Sequence, residues 1–155
     1  MLMENKMRWV RVKTQNGPSY GIINNDIISL VRGNLFETIE LTGEEIKLAN
    51  AKIMVPLEPK TFYAAGLNYA QHVIEQAKAN NREPNIPDEP HVGYRANNAL
   101  IADGEPIIKP NDSSEEFQYE GELVVVIGKK GKNLTEDEAL DIVSVSYTHL
   151  RAHET

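Results

Sequence analysis

The sequence predicts a β-rich α+β protein: a small N-terminal β-domain, residues 1–51, ahead of the first part of a larger unit, residues 52–143. Three observations predict it. Short β-prone runs separated by turn residues fill the first thirty positions; Pro56 and Pro59 punctuate the chain just beyond Ala51; and only two stretches carry the start signals of helices.

Trp9, Val10 and Val12 open the first strand, which ends at the turn Asn16-Gly17-Pro18. Tyr20 to Ile23 and Ile27 to Val31 follow, separated by Asn24-Asn25-Asp26, so the segment reads as a β-meander whose turn residues tolerate or pre-set the required φ. Arg32 to Glu45 is polar and mixed and receives no element. Thr61 to Leu67 is β-prone and leads to Asn68, an N-cap type with Gln71 three residues on, predicting a helix from about Tyr69 to Ala79. Asn80 to Pro90, rich in proline and charge, reads as a loop. Ala99 to Ile101, Ile107-Ile108 and Tyr119 to Ile127 have strand character, and Thr135 with Glu138 forms a capping box opening a short helix through Val143.

Composition removes several functions. The 155 residues contain no cysteine, which excludes disulfides, thiolate zinc sites and cysteine nucleophiles, so a metal would be held by oxygen or imidazole. A net charge of −7 with scattered cations offers no footprint for nucleic acid. No apolar run approaches the roughly 20 residues that span a bilayer, and Met1 to Arg11 lacks a signal-peptide core, so no membrane partner and a cytoplasmic location are expected. Neither a phosphate-binding glycine loop nor a Gly-x-Ser-x-Gly elbow is present.

Two patterns carry chemistry. In Glu120-Gly121-Glu122, followed by Leu123 to Ile127, the carboxylates are two apart and share one side of a strand. Such a pair entering a buried strand calls for a hard divalent cation; a solvated strand end with two exposed acids is the alternative. On the helix, His72 and Glu75 are three apart, so Glu75 is placed to hold one imidazole nitrogen and leave the other as a base; an ordinary exposed helix pair is the alternative. Arg95 has the donor fork for a carboxylate, His91 is placed to line a pocket with an ordinary solvated loop histidine as the alternative, and His149 and His153 receive no role.

Taken in order, Ala65-Gly66-Leu67-Asn68-Tyr69 with His72 and Glu75, Ala99-Leu100-Ile101, Tyr119-Glu120-Gly121-Glu122-Leu123 and Ile127-Gly128-Lys129 resemble the fumarylacetoacetate hydrolase family, and Met7 to about Ala51 resembles the small domain preceding its catalytic domain. The resemblance spans roughly Met7 to Val143. It implies a mixed β-roll, incomplete in this chain, in which three carboxylates bind Mg²⁺ or Mn²⁺, with Ca²⁺ as a further option. Glu120 and Glu122 match the first two ligands, and His72 and Glu75 match the catalytic pair. It also implies a small-molecule 2-oxo acid substrate and a homodimeric parent. The implied chemistry is isomerisation, decarboxylation or C–C hydrolysis of 2-oxo or 2-hydroxydienoate dicarboxylic acids through a metal-stabilised enolate. The nearest types are 2-hydroxyhepta-2,4-diene-1,7-dioate isomerase and 5-oxopent-3-ene-1,2,5-tricarboxylate decarboxylase, with acylpyruvate hydrolase and oxaloacetate decarboxylase as alternatives. A non-catalytic binding module is the reading from another class.

Two departures bear on function. Tyr94-Arg95 stands where many members have Phe-Lys, making these two the substrate-binding candidates with altered fork geometry. Residues 144–155 resemble translated adapter read-through more than a natural segment, and Arg151 falls about where the third metal-binding aspartate belongs. The expectation is therefore a truncated chain with a non-native tail, a missing third carboxylate and little activity of its own.

Overall fold

The computed structural model describes residues 7–113 and 117–153, and for 118–120 and 146–153 it describes the backbone alone. Its first unit is an antiparallel sheet of β1 (Arg8–Thr14), β2 (Gly17–Asn24), β3 (Ile27–Gly33), β4 (Ile39–Lys47) and β5 (Lys52–Ile53), in the order β4-β3-β2-β1-β5. The expected meander is β1 to β3. Alternation builds the core: Val10 and Val12 on β1 and Ile28 and Leu30 on β3 are buried on one face, with Ile23, Ile46, Leu48, Ala51 and Ile53 packed against them. Gly21 lies between Val10 and Leu30 in register, and a Cβ there would run into the Ile28 methyl. Close approach, not turn geometry, requires that glycine.

The strand β4 lies where the sequence suggested no element. It is an edge strand with most side chains in water, so it carries charges rather than an apolar stripe, and those charges discourage pairing with foreign strands. Cross-strand partners take them up: Arg32 meets Glu40 at 2.8 Å, and Ser29 donates to Glu45 at 3.3 Å. At the other edge β5 continues the sheet past Ala51. The far face of β1 carries Arg11, nearly buried, paired with Glu58 at 2.9 Å and lying 6.0 Å from the Tyr20 ring centroid. Burial pushes the Tyr20 phenol above its ordinary value, and the Arg11 charge partly offsets this.

Beyond Pro59 come two hairpin-like pairs. β6 (Phe62–Gly66) pairs with β7 (His91–Arg95), and between them runs α1 (Ala70–Ala79). β8 (Gln118–Ile127) pairs with β9 (Val143–His153), with α2 (Glu136–Asp141) in their connection. The α2 start has the expected capping box: Thr135 Oγ1 accepts from the Glu138 amide, and the Glu138 carboxylate accepts from the Thr135 amide at 2.8 Å. The Thr135 amide, together with the Thr135 hydroxyl that also donates to the carboxylate at 2.9 Å, holds the Glu138 carboxyl below its ordinary value. The helix stops at Asp141, earlier than expected, because Val143 already belongs to β9.

Three further expectations are corrected. Asn68 does not cap α1; Tyr69 occupies the N-cap position without a side-chain bond, because the chain turns at Leu67 before the helix begins. Residues Asn97–Ala99 form a single helical turn, and neither Ala99 to Ile101 nor Ile107-Ile108 is a strand: apolar character without a pairing partner does not make one. The loop after α1 runs as expected from Asn80 to Pro90, where β7 begins at His91.

The two units differ in how well they are covered. The chain exposes 13134 Å², about two-thirds more than the roughly 7,800 Å² of a compact monomer of this mass. Most of the exposed large apolar side chains among the described residues lie beyond the first sheet. Leu123, Val125 and Ile127, on one side of β8, are 62%, 47% and 55% exposed. Among the described residues, the Phe36 ring of the β3–β4 turn lies against Gly128 at the end of β8, where a Cβ would come within 3.1 Å of it.

Candidate functional site

The first cluster stands at one end of the β6–β7 pair. β6 delivers the chain to Gly66, Leu67 to Tyr69 turn it, and α1 carries His72 and Glu75 away. Val73 and Ala77, four apart, are the buried stripe of α1, which leaves Gln71, His72 and Glu75 exposed. The expected His72–Glu75 bond is not made. Glu75 instead accepts a hydrogen bond from Gln71 Nε2 at 2.8 Å, since a donor four residues earlier on a helix has the same reach as one three earlier. The His72 imidazole has no hydrogen-bond partner among the described residues.

The antiparallel register then separates candidates that the sequence grouped. Gly66 faces His91, whereas Phe62 faces Arg95. Arg95 therefore sits four strand positions, about 13 Å of rise, from the end where α1 departs. His91, which the sequence offered as a possible pocket-lining residue, is at the α1 end and lines a cavity of about 470 Å³ with Leu67, Asp88 and Glu89. Its place at that end follows from β7 pairing with β6, for which Val92 and Tyr94 alone are a weak strand signal.

At the far end Tyr94 stacks on its cross-strand neighbour Tyr63, with ring centroids 4.8 Å apart. The neighbouring Tyr94 phenol raises the Tyr63 pKa above its ordinary value. Arg95 donates to the Tyr94 carbonyl at 3.2 Å and lines an open groove of about 540 Å³ with Lys60, Thr61, Phe62, Asn97 and Asn98. That lining holds two cations and no carboxylate, which suits an anion.

Glu120 and Glu122 occupy alternate positions of β8, as expected, and Gly121 falls on the other side. Glu122 is half-buried on the side that leads to buried Val126; the Glu120 side chain lies outside the described residues. In register, Glu120 is opposite Arg151 and Glu122 opposite His149, so the segment read as a foreign tail lies alongside the acidic end of β8. Among the described residues no three His, Asp or Glu side chains gather as a metal-holding group. Two carboxylates match a hard cation in kind but fall short of a full protein ligand set in number.

Comparison with known proteins decides the family. The family described as fumarylacetoacetate (FAA) hydrolase C-terminal matches residues 61–149, more than half of the chain, and one described as Rv2993c-like, N-terminal matches residues 7–56. The chain belongs to the fumarylacetoacetate hydrolase family. The fumarylacetoacetate hydrolase domain-containing protein 2 homolog of Dictyostelium discoideum is 41% identical over 104 residues, 67% of this chain and 32% of that protein. The homoprotocatechuate catabolism bifunctional isomerase/decarboxylase of Escherichia coli is 43% identical over 84 residues, 54% of this chain and 18% of that protein. Among solved structures, the 5-carboxymethyl-2-hydroxymuconate delta-isomerase from Mycobacterium smegmatis superposes with a TM-score of 0.78 at 25% identity, over 94% of this chain and 55% of that one. The 2-hydroxyhepta-2,4-diene-1,7-dioate isomerase from Mycobacterium marinum gives the same score at 21% identity, over 95% of this chain and 54% of that one, and so speaks for the fold alone. The chain thus spans about half of these solved family members and a third or less of those two curated relatives. Among the described residues no helix is long and apolar enough to cross a membrane.

Proposed function

We propose that this chain supplies the proton-moving side and two metal-binding carboxylates of an enzyme that isomerises or decarboxylates 2-hydroxydienoate or 2-oxo dicarboxylic acids. The observation that carries the reading is the placement of His72, without a hydrogen-bond partner among the described residues, on the helix leaving β6, in a family chain that also bears Glu120 and Glu122 at alternate positions of β8. Relatives named as isomerase/decarboxylase, oxaloacetate tautomerase and caffeoylpyruvate hydrolase share one requirement, movement of a proton next to a carbonyl, and an exposed imidazole suits it. Acylpyruvate hydrolysis and oxaloacetate decarboxylation are the neighbouring activities.

Glu120 and Glu122 would hold Mg²⁺ or Mn²⁺, which when bound supplies an electron-withdrawing centre for the substrate's ketone and carboxylate oxygens. His72 takes or returns the proton at carbon. Glu75 orients that imidazole once Gln71 releases it, and Arg95 with Tyr94 receives a distal carboxylate. The 155-residue chain alone binds the metal weakly and turns over little substrate, a reading supported by the lack of a third gathered carboxylate among the described residues.

In the enzyme that contains this segment, Glu122→Gln is expected to abolish metal-dependent turnover of 2-hydroxyhepta-2,4-dienedioate and of oxaloacetate. His72→Ala is expected to cost about 10²–10⁴ in kcat while leaving Mn²⁺ affinity near the parent value. Unchanged turnover in either variant refutes that residue's assignment. Micromolar Mn²⁺ affinity by calorimetry together with acylpyruvate turnover by the 155-residue chain would overturn the claim that it is inactive alone.

A further inference from the structure

Four non-glycine residues among those described have left-handed backbone: Asn25 at φ 53°, Asn81 at 51°, Asn133 at 55° and Leu67 at 55°. Three are asparagine, whose short amide tolerates that region. Leucine gains nothing comparable there, and its Cβ crowds the following carbonyl. No core packing accounts for the exception, because Leu67 is 47% exposed.

The position of Leu67 does account for it. β6 ends at Gly66 and α1 begins at Ala70, so Leu67, Asn68 and Tyr69 are the whole joint between strand and helix. Tyr69 is extended, at φ −112° and ψ 102°, and makes no side-chain cap, which leaves the reversal to the left-handed residue. A change of tens of degrees at Leu67 would swing the whole of α1, with His72 on its exposed side, about the end of β6. Strained backbone retained at such a joint is a known companion of functional geometry.

We propose that Leu67 is a positioning residue whose left-handed backbone sets the angle at which α1 leaves β6, and hence where His72 stands relative to the β6–β7 pair. Its effect on turnover rests on the reading of His72 as the proton-moving group; its effect on helix direction does not.

Absence of cysteine makes the geometric test clean. Gln76→Cys and Val92→Cys, both exposed sites, place spin labels on α1 and β7. Leu67→Asn and Leu67→Gly, which accept the left-handed region, should keep the parental label distance. Leu67→Val and Leu67→Ile, which resist it, should shift or broaden that distance by several Å, with the Trp9 fluorescence transition confirming that the first sheet is folded. Identical distributions in all four variants, or shifts in the Asn and Gly variants with Val and Ile left at the parental distance, overturn the proposal. In the active enzyme the same series should rank Asn and Gly within threefold of the parent, and Val and Ile at least tenfold down in kcat with KM within twofold. If His72→Ala keeps full turnover, the base assignment falls while the distance result still judges Leu67. If His72→Ala is dead and the Leu67 series is flat in both distance and rate, only the positioning role falls.

Discussion

Truncating Ile28 measures how much of the first sheet's stability rests on one side chain. Ile28 is 0% exposed and lies near the start of β3, in the cluster of Val10 and Val12 and touching the place where Gly21 lacks a Cβ. A unit of about fifty residues has roughly 2.5–7.5 kcal/mol of stability to lose. Ile28→Ala removes about 2–5 kcal/mol, because so tight a site cannot collapse onto the cavity, and Ile28→Val removes about 0.5–1.5 kcal/mol. Trp9, the single tryptophan, stands on β1 beside Val10, so its fluorescence reports on this sheet in urea. With a slope near 1 kcal/mol/M for so small a unit, the midpoint should fall by about 0.5–1.5 M for Val and by about 2–5 M for Ala, enough to unfold the sheet in water. Leu123→Ala, at an exposed position of β8, should leave the midpoint within about 0.5 M. Equal effects of Ile28→Ala and Leu123→Ala would refute the claim that the first sheet is held by its own buried cluster.

Other expectations follow from charge and capping. Glu58→Gln strips the nearly buried Arg11 of its 2.9 Å partner; with Glu58 itself in water the loss should be about 0.5–1 kcal/mol and shrink in high salt, as urea titration at two ionic strengths will show. The folded-state pKa of Tyr20 is raised, so the folded sheet keeps a proton that the unfolded chain gives up. Its contribution is intact below pH 10 and should decline as pH climbs from there through the folded value, and Tyr20→Phe should flatten that limb. Thr135→Ala should speed amide exchange at the start of α2 roughly fivefold. The depressed Glu138 pKa works in the opposite sense: its contribution is present above the ordinary carboxylate value and lost as pH falls through the lower folded one.

What the sequence could reveal depended on how locally each feature is encoded. Val10, Val12, Ile28 and Leu30 alternate against turn residues, so the meander is written in its own period, and Thr135 with Glu138 encodes the α2 start within four residues. β4 was invisible because an edge strand in water needs no apolar stripe. Ile107-Ile108 misled in the opposite direction, since a β-prone pair becomes a strand only beside a partner. The spacing of Glu120 and Glu122 gave their alternate positions along β8 directly. The spacing of His72 and Glu75 gave proximity but not partnership, because Gln71 competes for the same carboxylate at equal helical reach. The placement of His91 near α1 and of Arg95 away from it is a property of register, which no local pattern carries.

The contrast between a first sheet with its own core and a β8 strand with an uncovered apolar side also has a temporal meaning. On a ribosome adding about 5–20 residues per second, β1 to β5 are complete well before Leu123 is made, and a unit with its own core can fold while the rest is still being synthesised. The early sheet then serves as a folded leader to which later chain is delivered, with the turn bearing Phe36 already in place to receive Gly128 as it emerges. Leu123, Val125 and Ile127 have no such head start. During that interval they are the segment most in need of a chaperone, and slowing translation before residue 118 should raise the soluble yield less than supplying one.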